Sequence, residues 1–148
     1  MIDVKVKKLV STAVIPFYSK DGDMGMDVVA TSIEFDAKID CYIYHTGLSF
    51  EVPKGYGMFL FPRSSNRKKD VYLPNSVGIL DSGYRGELLF SYKNRDASTY
   101  PYGVTPPYNV GDKVGQLVIM PYPQINFVET DKLSNSERGE GGFGSTRR

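Results

Sequence analysis

The chain has 148 residues, 41% hydrophobic and 24% charged, which suits a single domain that holds its own core without disulfide or metal staples. Eighteen basic against 17 acidic side chains leave a net charge of +1, which argues against a protein devoted to coating nucleic acid. One cysteine, Cys41, and one histidine, His45, exclude an internal disulfide, a Cys-rich zinc site and a multi-histidine metal cage. No apolar run approaches the ~18 residues of a membrane-spanning helix. The first ten residues alternate charge with valine, unlike a secretory signal, so the expectation is a protein neither secreted nor membrane-bound. Any catalysis then rests on carboxylates, arginines, hydroxyls and backbone, with His45 the one histidine a triad could use.

In chain order the pattern reads as short strands. Residues 2–7 alternate apolar and polar, as do residues 48–52, the period of a half-buried strand. Residues 56–61, 88–90 and 114–120 are short apolar runs expected to be strands buried on both faces, and residues 125–128 alternate again. Turn formers separate them at Asp21-Gly22-Asp23, Pro53-Lys54-Gly55, Asp81-Ser82-Gly83, Pro106-Pro107 and Gly111-Asp112. No segment of 11 or more residues shows helical periodicity; residues 64–71 suit one or two turns opened by a serine N-cap. Eleven tyrosines and eight phenylalanines with no tryptophan suit a sheet protein, and many closely spaced strands suggest a sandwich or jelly roll. Residues 134–148 differ: rich in glycine and arginine with Phe143 as the one large apolar side chain, they are expected to stay mobile until something binds.

Two glycine motifs in that tail fail. Residues 139–144 spell G-x-G-x-x-G, but the dinucleotide fingerprint needs a strand before it and a helix after it, and the sequence runs only four residues further. Residues 139–146 resemble a P-loop without its lysine. What survives is the physics of the parts: glycines that let backbone wrap a ligand, Arg138 to fork onto a phosphate, and Phe143 as a flat face for a base.

Within the body, Pro62-Arg63-Ser64-Ser65 offers an arginine, two hydroxyls and free N–H groups in one turn, either an anion cradle or an ordinary capped turn. Residues 78–87 have a hairpin composition with Asp81 at the tip, either facing a ligand or merely starting a turn. Asp27, between apolar neighbours in Gly25-Met26-Asp27-Val28-Val29-Ala30, holds a hydrated cation or caps a local turn. Gln116, in an otherwise apolar run, needs buried hydrogen-bond partners or a ligand.

Taken in order, residues 25–30, 62–65, 78–87, 111–117 and 138–146 resemble the five motifs of the trimeric dUTP pyrophosphatases, a match spanning nearly the whole chain. The resemblance implies an all-β, distorted jelly roll over residues 1–133 and a flexible arm over residues 134–148 that closes a neighbour's active site. It implies a homotrimer with shared sites, acting on a small nucleotide rather than on nucleic acid or membrane. It also implies Mg²⁺-dependent hydrolysis of dUTP to dUMP and pyrophosphate, in the cytoplasm or, for a viral protein, in a host-cell compartment. That activity limits uracil in DNA and supplies dUMP for dTMP synthesis.

Carried over by position, Asp81 matches the aspartate that deprotonates the attacking water, and Tyr84 the ring packed on the deoxyribose. Asn75, Gly78, Ile79, Leu80 and Leu89 match the uracil pocket, Arg63, Ser64 and Ser65 the phosphate-contacting motif, and Gln116 a polar residue near the phosphates. Arg138 matches the arm arginine on the γ-phosphate, Phe143 the aromatic over the uracil with Gly144 beside it, and Asp27 the acid that holds Mg²⁺ through water. The chain departs from the family at Gly83, where an aspartate is common, and at Arg147, where the tail usually carries glycine. The related dCTP deaminases use a glutamate ten residues beyond the motif aspartate; here that position is Ser91, which argues against deamination.

Overall fold

Alternation of inward and outward side chains carries through as nine strands among the residues that the computed structural model describes, 1–95 and 106–142. They are β1 (Lys5–Lys8), β2 (Met26–Val29), β3 (Ser32–Asp36), β4 (Cys41–Glu51), β5 (Tyr56–Phe61), β6 (Val71–Tyr72), β7 (Gly78–Leu80), β8 (Glu87–Asn94) and β9 (Lys113–Pro121). One sheet runs β1-β4-β8-β6, with β3 sharing the β1 edge of the long β4; the other runs β2-β9-β5-β7. Every ladder is antiparallel. The fold is all-β, a distorted jelly roll, and none of its helical segments is long and apolar enough to cross a membrane among the described residues.

The core lies between the sheets. Val28, Met58, Leu60, Val114 and Leu117 from one side meet Tyr42, Tyr44, Leu88, Phe90 and Tyr92 from the other. Period two decides which residues these are: Tyr42 and Tyr44 point inward while Ile43 and His45, which alternate with them, do not. Three tyrosines form a cluster. Tyr44 meets Tyr92 and Tyr108 edge-on at 5.9 and 5.7 Å, and Tyr92 lies 5.3 Å from Tyr108. Their hydroxyls are satisfied: Tyr92 donates to the Val114 carbonyl at 2.7 Å and Tyr108 to Asn66 Oδ1 at 2.8 Å. Burial pushes all three phenols above their ordinary range, so they remain protonated donors.

Several expectations are corrected. Residues 125–128 alternate as a strand does, yet they pair with nothing among the described residues, and Ile125, Phe127 and Val128 are exposed. Alternation marks a chain fit to join a sheet, but the join needs an edge within reach and in register, and periodicity along the chain specifies neither. The helical turn is a 3₁₀ segment, Ser64–Lys68, with Arg63 rather than a serine at its N-cap and no side-chain cap. Residues 78–87 do not form a hairpin: β7 pairs with β5 and β8 with β4, so the connection crosses from one sheet to the other. Residues 2–7 yield a later and shorter strand, β1.

Gly115 shows how tightly the sheets close. A Cβ there would overlap the ring of Phe90, itself fully buried. Gly115→Ala is therefore expected to destabilise the fold by about 1–3 kcal/mol through overpacking, read as a lower denaturant midpoint at unchanged slope.

Candidate active site

The crossing from β7 to β8 creates a cavity. β7 is the edge strand of its sheet, bonded to β5 through the pairs Leu60–Gly78, Phe59–Ile79 and Met58–Leu80. Its other edge keeps backbone N–H and C=O groups without a strand partner among the described residues. A Cβ at Gly78 would come within 3.0 Å of Leu60, a close approach that glycine permits. The cavity of about 260 Å³ beside this edge is lined by Gly78, Ile79, Leu80, Asp81, Tyr84, Leu89 and Asn75, together with Leu60 and Glu87. Seven residues singled out in the sequence thus meet in one place.

The loop holds its own shape. The Tyr84 N–H donates to the Asp81 carbonyl at 3.0 Å, closing a turn at Asp81-Ser82-Gly83-Tyr84. Arg85 Nη1 donates to the carbonyls of Ser82 and Tyr84 at 2.7 and 2.8 Å. The Tyr84 hydroxyl donates to the Glu87 carbonyl at 3.1 Å, so the ring folds across Gly86, where a Cβ would overlap that hydroxyl. Only glycine leaves the ring this room. On the far side, Ser76 adopts φ 60° and the Val77 N–H donates to the Asn75 carbonyl at 2.6 Å, a tight three-residue turn that presents Asn75 to the cavity. The Asp81 carboxylate is exposed and engages no hydrogen bond or ion pair among the described residues.

A second, open cleft of about 490 Å³ is lined by Arg63, Ser65, Lys69, Tyr108, Gly111, Asp112 and Lys113 and shares no lining residue with the first. Register explains its centre. Asp27 on β2 sits across from Gln116 on β9, which sits across from Phe61 at the end of β5, and Arg63 follows two residues later. The guanidinium folds back onto the carboxylate, Nε to Oδ1 at 2.7 Å and Nη2 to Oδ2 at 3.2 Å, while Lys113 Nζ reaches Oδ2 at 2.9 Å. Burial alone would raise the Asp27 carboxyl, but the hydrogen bonds and charges of Arg63 and Lys113 outweigh it and hold it below the usual carboxylate range. Two cations against one carboxylate leave this cluster one positive charge in excess. Arg63 Nη1 also donates to Ser65 Oγ at 3.4 Å, Ser64 is exposed beside it, and Gln116 Nε2 donates to the Pro62 carbonyl at 3.3 Å.

Lys69, Tyr108 and Lys113 were not singled out from the sequence. Lys69 Nζ donates to the Pro107 carbonyl and sits 4.5 Å from the Tyr108 ring centre, a cation over an aromatic face. The signal for Lys113 was legible, a lysine that opens β9 directly after Asp112, but its partner was not.

Magnesium fits Asp27 in one way. Both carboxylate oxygens already accept from cations, and no cluster of three or more metal-ligating side chains exists among the described residues, so an ion held by the protein alone does not fit. Oδ1 accepts only the Arg63 Nε–H and keeps a lone pair for a metal-bound water, which suits an ion carried in by a polyphosphate. Arg138 is brought to neither cavity: its Nε donates to the Gly141 carbonyl at 2.8 Å within the arm. Phe143 and Gly144 lie outside the described residues.

The family model for dUTPase matches residues 11–147. The deoxyuridine 5′-triphosphate nucleotidohydrolase of Leifsonia xyli subsp. xyli is 37% identical over 133 residues, 89% of this chain and 84% of that protein. The enzyme of the same name from Alkaliphilus metalliredigens is 33% identical over 147 residues, 99% of this chain and 98% of its own. Among solved structures, the Staphylococcus bacteriophage 80alpha dUTPase with dUPNHPP superposes with a TM-score of 0.81 at 23% identity, covering the whole of both chains. A mutant dUTPase of phage phi11 of S. aureus, described with a structural Mg(II) ion, gives 0.72 at 22% identity over 88% of this chain and 98% of that one. With a match that extends along nearly its whole length, the chain belongs to the dUTPase family.

Proposed function

We propose that this chain hydrolyses dUTP to dUMP and pyrophosphate, with Asp81 as the base that activates water for attack on the α-phosphorus. The observation that carries the reading is the contrast between its two site carboxylates. Asp27 is held as an anion by Arg63 and Lys113, whereas Asp81 stands uncommitted at the rim of a cavity of about 260 Å³. A carboxylate with free lone pairs accepts a proton from a positioned water; one locked between two cations is a poor acceptor.

The unpartnered edge of β7 supports uracil as the base. Adjacent N–H and C=O groups of a strand edge complement the O4 and N3–H of uracil, and cytosine presents that pair inverted. Leu89 and Asn75 close the pocket, and Tyr84 forms the wall where the deoxyribose rests, which leaves a ribose 2′-hydroxyl no room. The surplus positive charge at Arg63, Lys113 and Lys69 suits a triphosphate, with Ser64, Ser65 and Gln116 as further donors at that end. Magnesium, when bound to the triphosphate, offsets its charge and fixes its geometry, and Asp27 contacts it through water. Arg138, Phe143 and Gly144 belong to an arm, residues 134–148, that closes over the nucleotide.

Two features favour a homotrimer with shared sites. The base cavity and the basic cleft share no lining residue, so a second copy is the natural source of the phosphate end. Residues 125–128 also leave an alternating apolar stretch uncovered in the single chain. In this reading the protein works in the cytoplasm or host-cell compartment, limits uracil incorporation into DNA and supplies dUMP for dTMP synthesis.

Asp81→Asn is expected to retain Mg²⁺-dependent binding of dUTP and to hydrolyse it at least ~10²-fold more slowly; turnover near the parent rate refutes the base assignment. Hydrolysis in ¹⁸O water is expected to label dUMP and leave pyrophosphate unlabelled. Removal of residues 134–148 is expected to abolish turnover while leaving the melting transition in place, and full activity of the shortened chain rules out the closing arm.

A further inference from the structure

The loop that carries Asp81 and Tyr84 is held from behind by β4. Ser49 Oγ donates to the Arg85 carbonyl at 2.6 Å and Thr46 Oγ1 to the Leu88 carbonyl at 2.7 Å. Between these two ties lies Glu87, half-buried, with both carboxylate oxygens engaged. The Gly47 N–H donates to Oε1 at 2.7 Å, and His45 Nδ1 lies 2.9 Å from Oε2. The imidazole is braced on its other side by Glu34, whose Oε2 is 3.6 Å from Nε2. Gly47 delivers its N–H from a left-handed backbone, φ 65°, at a register shift in β4 where a Cβ would lie 2.5 Å from Val10. No other residue fits that bulge without strain.

The rest of the loop is held by its own turn and by Arg85. Residues 81–84 are mostly exposed, and the tie that holds the Tyr84 ring is its hydroxyl on the Glu87 main-chain carbonyl. The residue that presents this carbonyl is itself anchored, by its carboxylate on Gly47 and His45 and by pairing opposite Ser49 in β4. We infer that Glu87 is a positioning residue: by anchoring on His45 and Gly47 it fixes the Tyr84 ring against the cavity and so sets the discrimination between deoxyribo- and ribonucleotides. The inference rests on the reading of Tyr84 as the wall of the sugar site. Aspartate-type chemistry is no part of Glu87's role, since both of its oxygens are already paired.

The test is the ratio of kcat/KM for dUTP over UTP, measured with Mg²⁺ in the full chain alongside the melting temperature. Glu87→Ala is expected to lower the ratio about tenfold or more, through a higher KM for dUTP with kcat little changed, since small misplacements of a contact group carry effects of this size. Glu87→Gln is expected to restore the ratio: its amide oxygen accepts from Gly47 and its nitrogen donates to the other His45 tautomer. On a Tyr84→Phe background, which lacks the tie, Glu87→Ala is expected to add little. Should Tyr84→Ala narrow the ratio while Glu87→Ala leaves it unchanged, the positioning role is overturned and the sugar-site reading stands. Should Tyr84→Ala itself leave the ratio unchanged, that reading falls and the inference with it. If Glu87→Ala does not fold, His45→Ala decides in its place, an unchanged ratio again overturning the role.

Discussion

Backbone pairing of Gly78–Leu80 with Met58–Leu60, rather than with the strand that follows in sequence, is the commitment on which the site depends. Because β7 and β8 end up in different sheets, the six residues between them must span the gap. The span leaves an unpaired strand edge on one side and a cavity beneath the loop. A two-stranded hairpin at the same position would have satisfied that edge internally and left no backbone groups for a ligand. The open strand edge and the location of the loop acid both follow from this one choice of partner.

Chemically identical side chains then diverge by environment. Asp27 lies on a strand whose register delivers Arg63 and Lys113 to its two oxygens, so it stays ionised and organises the basic cleft. Asp81 lies at a loop tip with nothing paired to it among the described residues. Glu87 is a third case, an acid whose charge is spent on holding backbone in place. Proximity to the cavity alone would have ranked Glu87 beside Asp81; counting occupied lone pairs separates them.

The basic cleft is tied to the core by tyrosines. Tyr92 bonds the carbonyl of Val114 next to Lys113, and Tyr108 bonds Asn66 within the turn that follows Arg63. Burial keeps these phenols protonated, so the ties persist wherever the sheets remain closed. Cations gathered in one cleft repel one another, and anchoring their backbone to a close-packed interior holds their spacing without further charge.

Local patterning was legible in the sequence because it depends on neighbours in the chain. Apolar runs marked β5, most of β9 and the start of β8, alternation marked the end of β4, glycines and aspartates marked the turns, and the resemblance to a family of five ordered motifs pointed to seven of the residues that line the cavity beside β7. Pairing was not legible, because a strand's partner is set by shape and register across the core. Hence residues 78–87 read as a hairpin but cross between sheets, residues 125–128 read as a strand but pair with nothing among the described residues, and the Arg63 and Lys113 partners of Asp27 were not foreseeable from its neighbours in the chain. Sequence determined which side chains can do chemistry; only the three-dimensional arrangement decided which of them are already occupied, since occupancy depends on groups as far as 86 positions away, as from Asp27 to Lys113, brought within 2.9 Å by strand register.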